Sequence, residues 1–232
     1  MSEPILIGTR GWEHEDWRGG FYPPELPADW RFGYYSNLLR SVLVPGETWE
    51  TAGVEDARRW VEDSDPAFRF VLELPAGLSH PASADAVEQR LMEFFRLIGP
   101  IRAQVAGLLI RVTPESPPDR AWLEALLELL APTHPLCADL PGAWRMPEYM
   151  DCLARHHAGL FWRTGDGPAP RPGGRLMVAL AQEGEPKAQR RLIEALARWQ
   201  GEQGVAALIF DTPGKAPEQA RQARLLAELM MV

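Results

Sequence analysis

Three arginines, four carboxylates and one histidine stand where short apolar runs give way to polar sequence. They are Arg10, Arg111 and Arg163; Glu73, Asp139, Glu183 and Asp211; and His80. A guanidinium grips a phosphate or carboxylate through two parallel hydrogen bonds, so converging arginines read as an anion site. His80 could move a proton near neutral pH, with Glu73, Asp139 or Asp211 as the partner carboxylate of a hydrolase- or lyase-type enzyme. Thr9, beside Arg10, adds a hydroxyl, and Trp12 and Trp49 offer aromatic walls for stacking. Two plainer readings compete. Charges of both signs at strand ends can pair and close a barrel mouth, leaving no ligand. His80, before Pro81, can be a simple turn residue.

Other signatures are absent. The chain has no P-loop, GxSxG elbow, HExxH or complete GxGxxG, so no cofactor is expected. Glu13-His14-Glu15-Asp16 holds metal-ligand types, but neighbours on a short loop rarely converge on one ion, and no metal site is assigned. His156-His157 reads as a cation pair at a helix C-terminus. Cys137 reads as core, and two cysteines make no disulfide framework. Trp60, Trp122 and Trp199 occupy helical positions, while Trp12, Trp17, Trp49 and Trp144 fall on or near loops that follow strands.

The elements that must position these residues repeat in a simple pattern. Apolar runs at 5–8, 41–44, 68–74, 106–112, 136–139, 159–163, 175–180 and 205–210 read as strands buried on both faces. Amphipathic stretches at 26–39, 54–62, 84–98, 119–130, 147–155, 186–200 and 216–231 read as helices. Ser83, Asp119 and Glu185 lie near helix starts, and Pro147, Pro186 and Pro217 suit first turns. Eight strand–helix units predict an α/β fold, a TIM-like (β/α)8 barrel in one domain, with a doubly wound open sheet as the alternative. The crossover after Arg163 is an exception. Residues 164–174 hold three prolines and four glycines, so a loop is expected in place of the sixth helix.

The chain has 232 residues, 46% hydrophobic and 24% charged, with a net charge of −8. Those values describe a globular protein. The acidic balance argues against nucleic-acid and anionic-membrane partners, and no apolar run is long enough for a membrane span. Met1-Ser2-Glu3-Pro4 lacks a signal-peptide pattern, so a cytoplasmic protein is expected.

The first loop carries a distinctive pattern: Ile7-Gly8-Thr9-Arg10-Gly11-Trp12, Asp16-Trp17-Arg18-Gly19, then Phe21-Tyr22-Pro23 and Leu26. It resembles the start of the YecE-like family, domain of unknown function 72. Similarity continues through Arg58-Arg59-Trp60, Phe68-Arg69-Phe70, Pro75 and His80, and more weakly around Trp144, Gly184 and Phe210. The resemblance implies a TIM-like barrel and supplies no reaction. Several polar positions depart from the family pattern. Its acidic residue, Asn and Tyr at the second strand are Leu43, Pro45 and Trp49 here; its Lys at the third is Glu73, and its Gln at the fourth is Arg111. Its Glu and Arg at the fifth are Ala138 and Leu140, its Arg and His at the seventh Ala181 and Glu183, and its Asn at the eighth Asp211. A divergent member is therefore expected. Its partner would be a small polar or anionic, even phosphate-bearing, molecule, held by Thr9, Arg10, Trp12, Trp49, Arg111, Arg163 and Glu183.

Overall fold

In the computed structural model, which describes residues 4–78, 84–171, 173–182, 184–201 and 204–231, every strand pairing of the main sheet is parallel. The strands are β1 (Leu6–Arg10), β2 (Ser41–Val44), β3 (Arg69–Glu73), β4 (Val105–Arg111), β5 (Leu136–Asp139), β6 (Gly159–Leu160), β7 (Trp162–Arg163), β8 (Leu176–Ala181) and β9 (Val205–Phe210). The order is β6-β5-β4-β3-β2-β1-β9-β8-β7. Its two ends, β6 and β7, are halves of one stretch interrupted at Phe161. The first half pairs with β5 and the second with β8, which nearly closes the sheet into a barrel. The open-sheet alternative is thereby excluded.

Seven helices accompany the strands among the described residues: α1 (Arg31–Leu38), α2 (Val54–Glu62), α3 (Ala84–Leu97), α4 (Arg120–Leu130), α5 (Pro147–Arg155), α6 (Pro186–Gln200) and α7 (Ala216–Met230). None is long and apolar enough to cross a membrane. The stretch expected at 26–39 contributes only α1, after a 3-10 turn at Ala28–Trp30. Pro27 holds φ −58 and ψ 148 there, an extended conformation that delays the helix. Asp119 caps α4 by accepting from the Trp122 N–H at 3.0 Å. Glu185 caps no N–H with its side chain. Ser83 lies outside the described residues. Prolines occupy the first turns of α5, α6 and α7, as their missing N–H permits.

The crossover after β7 holds a single 3-10 turn, Thr164–Asp166, and no α-helix among its described residues. Two indoles fasten this loop to the barrel. Trp162 donates to the Gly167 carbonyl at 3.0 Å, and Trp199 of α6 to that of Arg171 at 3.2 Å.

Two apolar layers form, because the strands are covered on both faces. Leu43, Val71, Leu109, Cys137, Phe161, Val178, Ala207 and Ile209 fill the barrel interior. A larger layer lies between the sheet and the helices and includes Trp60, Trp122 and Trp199. Each fully buried side chain of this size contributes roughly 1.5–3 kcal/mol. Gly8 lets β1 and β2 approach: a Cβ there would lie 2.0 Å from the Ser41 carbonyl oxygen.

Candidate functional site

Side chains alternate faces along a strand, so the residue two beyond an interior one also points inward. Applied to the interior layer, this rule gives Glu73 after Val71, Arg111 after Leu109, Asp139 after Cys137, Arg163 after Phe161 and Asp211 after Ile209. Arg10 follows Gly8 in the same way. All six sit at the C-terminal strand ends, the face where this fold carries its sites.

The charges alternate in sign around the rim. Glu47, from the 3-10 turn after β2, meets Arg10 Nη2 at 2.8 Å. The same nitrogen lies 3.5 Å from Glu73. Arg111 Nε lies 3.3 Å from Glu73 and 3.7 Å from Asp139. Arg163 grips Asp139 with both Nη atoms, at 2.9 and 2.7 Å. Arg111 and Arg163 also flank the Phe161 ring, at 5.5 and 4.9 Å from its centroid. Asp211 adds its negative field at Arg10.

Burial separates the carboxyls. Burial pushes Glu73 above the usual carboxylate range, against the pull of Arg111 and Arg10. Burial also raises Glu47, but the hydrogen bond and charge of Arg10 outweigh it and leave Glu47 low. Arg10 is held firmly protonated: burial opposes its charge, and Glu47, Glu73 and Asp211 more than compensate. Four polar atoms of the rim are buried and find no hydrogen-bond partner among the described residues: Arg10 Nε, Arg111 Nε and Nη2, and Glu73 Oε2. Arg10 also lines a cleft of about 280 Å³ with Trp12, His14, Pro45, Glu47 and Thr48.

The structure thus brings Arg10, Glu73, Arg111, Asp139 and Arg163 together, with Asp211 beside Arg10. His80 and Glu183 lie outside the described residues. Thr9 is fully buried on the outer face of β1, where its hydroxyl shares its single proton between the Gly11 carbonyl at 2.7 Å and the Tyr35 hydroxyl at 2.9 Å. Trp49 turns away from the rim: its indole donates to the Glu73 carbonyl at 2.7 Å and packs against Trp60 and Phe94. Trp12 borders the cleft but packs edgewise on Phe32 and Trp60 at 3% exposure. Trp17 and Tyr22 are buried with it, and Tyr22 donates to the Trp12 carbonyl at 2.6 Å. The conspicuous aromatics of the first loop therefore hold that loop together. Glu15 pairs with Arg31, and Asp16 accepts from the Gly214 N–H, tying the first loop to the last.

The sequence profile described as "Protein of unknown function DUF72" matches residues 6–231. The chain belongs to the DUF72 family. A crystal structure of a DUF72 family protein from Thermotoga maritima is similar, with 17% identity, 97% of this chain and 99% of that one covered, and a TM-score of 0.75. A DUF72 family protein from Enterococcus faecalis is similar at 16% identity, with 97% and 95% covered and a TM-score of 0.72. At such identities the likeness shows the fold. No curated protein matches.

Sequence reasoning about this DUF72 barrel puts residues 45–49 at the mouth but singles out neither Glu47 nor Phe161. Glu47 sits on a turn within the second loop, not at a strand end. Phe161 reads as one more apolar strand residue. A further group of metal-ligand types assembles away from the rim. Glu124 of α4 meets Cys152 of α5 and His156, the residue after that helix, with ligand atoms within 4.8 Å of one another. Cys152 and His156 are four apart on one helix face, which was readable. Their partner, 28 residues earlier, was not. Both Glu124 oxygens face arginines, Arg155 at 2.5 Å and Arg120 at 3.6 Å.

Proposed function

We propose that the C-terminal mouth binds a small, oxygen-rich polar molecule, such as a hydroxy acid, sugar acid or sugar phosphate, with Arg10 and Arg111 as its anchors. The observation that carries this reading is the set of buried rim atoms without hydrogen bonds: three donor nitrogens and one carboxyl oxygen. Buried polar atoms are normally satisfied, whereas here Arg111 Nε and Glu73 Oε2 have only ion-pair contacts of 3.3–3.7 Å and Arg10 Nε and Arg111 Nη2 find no hydrogen-bond partner among the described residues. A ligand with acceptor oxygens for the guanidiniums and a hydroxyl for Glu73 satisfies all four. Arg163 has a different part. Both its Nη atoms are committed to Asp139, so it holds that carboxylate in place. Three guanidiniums face four carboxylates, and an anion therefore enters most easily when Glu73 takes up a proton.

A thermal-shift and calorimetric screen of hydroxy acids, sugar acids, sugar phosphates and neutral sugars tests this. A true ligand at a hundred times its Kd adds about 2.7 kcal/mol of stability. Binding is expected to vanish in Arg111→Ala. Titration in two buffers of different ionisation enthalpy is expected to reveal proton uptake with anionic ligands. A flat response to every class would leave the rim as a closure made of ion pairs.

A second reading, an acid–base enzyme of hydrolase or lyase type, is favoured by the proton affinity of Glu73. Here Glu73 transfers the proton, Asp139 and Asp211 shape the field, and His80 is the additional candidate. Turnover of a bound ligand, lost in Glu73→Gln while binding persists, distinguishes it from simple binding.

A further inference from the structure

The opposite end of the barrel holds a second and larger cavity, about 580 Å³, beneath the N-terminal ends of the strands. It falls within the roughly 300–1,000 Å³ of small-molecule sites. In this barrel fold the N-terminal end ordinarily serves stability. Its wall is aliphatic, with Ile5, Val105, Val205 and Ala227 among the lining residues and no aromatic ring. Such a surface suits a flexible hydrocarbon rather than a base or sugar face.

The polar groups in this lining are one-sided. Arg40, Arg69 and Arg224 face a single carboxylate, Glu228. That is a local excess of positive charge on a chain of net charge −8. Arg224 is positioned by the Leu38 carbonyl at 2.8 Å and Glu228 at 3.3 Å. Arg69 is positioned by the carbonyls of Pro66 and Phe68. The exposed Arg40 has no carboxylate within 4 Å among the described residues. Next to it, Ser41 is 1% exposed, and its buried Oγ has no hydrogen-bond partner among them. A satisfied barrel floor would not leave a buried orphan hydroxyl beside an aliphatic hollow.

We propose that this cavity binds an amphiphile. Its aliphatic chain lies against the wall formed by β1, β9 and α7. Its anionic oxygen head, carboxylate or phosphate, is held by Arg40 in the field of Arg69 and Arg224. The Ser41 hydroxyl, next to Arg40, donates to a second oxygen of the same head group. The site is independent of the mouth at the other end.

Calorimetric titration of the full chain with decanoate, octanoate, decyl phosphate and decanol, each below its micellar concentration, tests the proposal. Decanoate or decyl phosphate is expected to bind, and the stronger of the two identifies the head group. Each methylene removed is expected to weaken binding about fourfold. Decanol, without the charge, is expected to bind at least about tenfold more weakly. Arg40→Ala is expected to cost about tenfold or more, and Ser41→Ala about fivefold. Ala67→Trp, at an exposed lining position, fills the opening without touching the core and is expected to abolish binding. Amphiphile binding is expected to persist in Arg111→Ala, which separates this site from the mouth. No binding by the full chain, or binding indifferent to Arg40→Ala and Ala67→Trp, overturns the proposal.

Discussion

Arg163 and Asp139 meet fork to fork, both Nη atoms on both carboxylate oxygens, across the point where the barrel closes. Asp139 ends β5 and is nearly buried. Arg163 ends β7 and is partly exposed. Their pair spans the interruption at Phe161 and continues the β5–β6 and β7–β8 pairings at the rim.

Asp139→Asn is expected to destabilise the fold by about 1–3 kcal/mol. The buried carboxylate serves two arginines, and its loss leaves Arg163 and Arg111 short of countercharge, although exposure of Arg163 softens the effect. Urea denaturation at neutral pH measures this. A change below a few tenths of a kcal/mol would show the pair to be decorative.

Glu73 gives a pH-dependent prediction. Its folded pKa lies above the ordinary 4.5, because burial favours the neutral acid. Its contribution is therefore fully present below about pH 4.5 and is lost as pH rises through the folded value. Glu73→Gln mimics the protonated form. The stability of the variant relative to the parent is expected to rise between pH 4 and pH 8. Urea midpoints across that range that move in parallel would contradict the assignment.

Tyr35→Phe tests the underside of the first loop. The buried Tyr35 hydroxyl accepts from the Thr9 N–H at 3.1 Å and the Thr9 hydroxyl at 2.9 Å, and donates to the Ser41 carbonyl at 2.8 Å. Removing it takes a partner from the Thr9 N–H and the Ser41 carbonyl, leaves the Thr9 hydroxyl only the Gly11 carbonyl, and is expected to cost about 1–3 kcal/mol. Thermal or chemical unfolding reads the loss.

Asp119→Ala removes the cap of α4 and is expected to cost about 1 kcal/mol, with Asp119→Asn nearly neutral. Equal losses in both variants would assign the effect to charge instead.

The sequence reveals the barrel because buried parallel strands leave continuous apolar runs. Strands at 41–44, 136–139 and 205–210 coincide with β2, β5 and β9. The Pro/Gly composition of 164–174 argues against a helix, and no α-helix forms among the described residues there. The run at 159–163 does not disclose its interruption, because Phe161 is as apolar as its neighbours. The rim is legible as a set, since strand ends on one phase must share it. Its pairings are not. Whether Asp139 takes Arg111 or Arg163 depends on the stagger of strands around the barrel, which no local pattern encodes. Trp12 and Trp49 mislead for a related reason. An aromatic beside a strand end can face the rim or the helix layer, and both serve the helix layer. The cavity at the opposite end leaves no motif, because residues at or just before the N-terminal ends of six strands, with the end of one helix, assemble it.

The interruption at Phe161 marks the place where the molecule is expected to open first. β6 and β7 each contribute only two ladder positions, and beside them runs a loop in place of a helix. Elsewhere each breach of the wall must also strip away a packed helical cover. Amide hydrogen exchange between Gly159 and Arg163 is therefore expected to be faster than in β1 or β9. The cylinder has a built-in weak stave, and partial unfolding is expected to begin there.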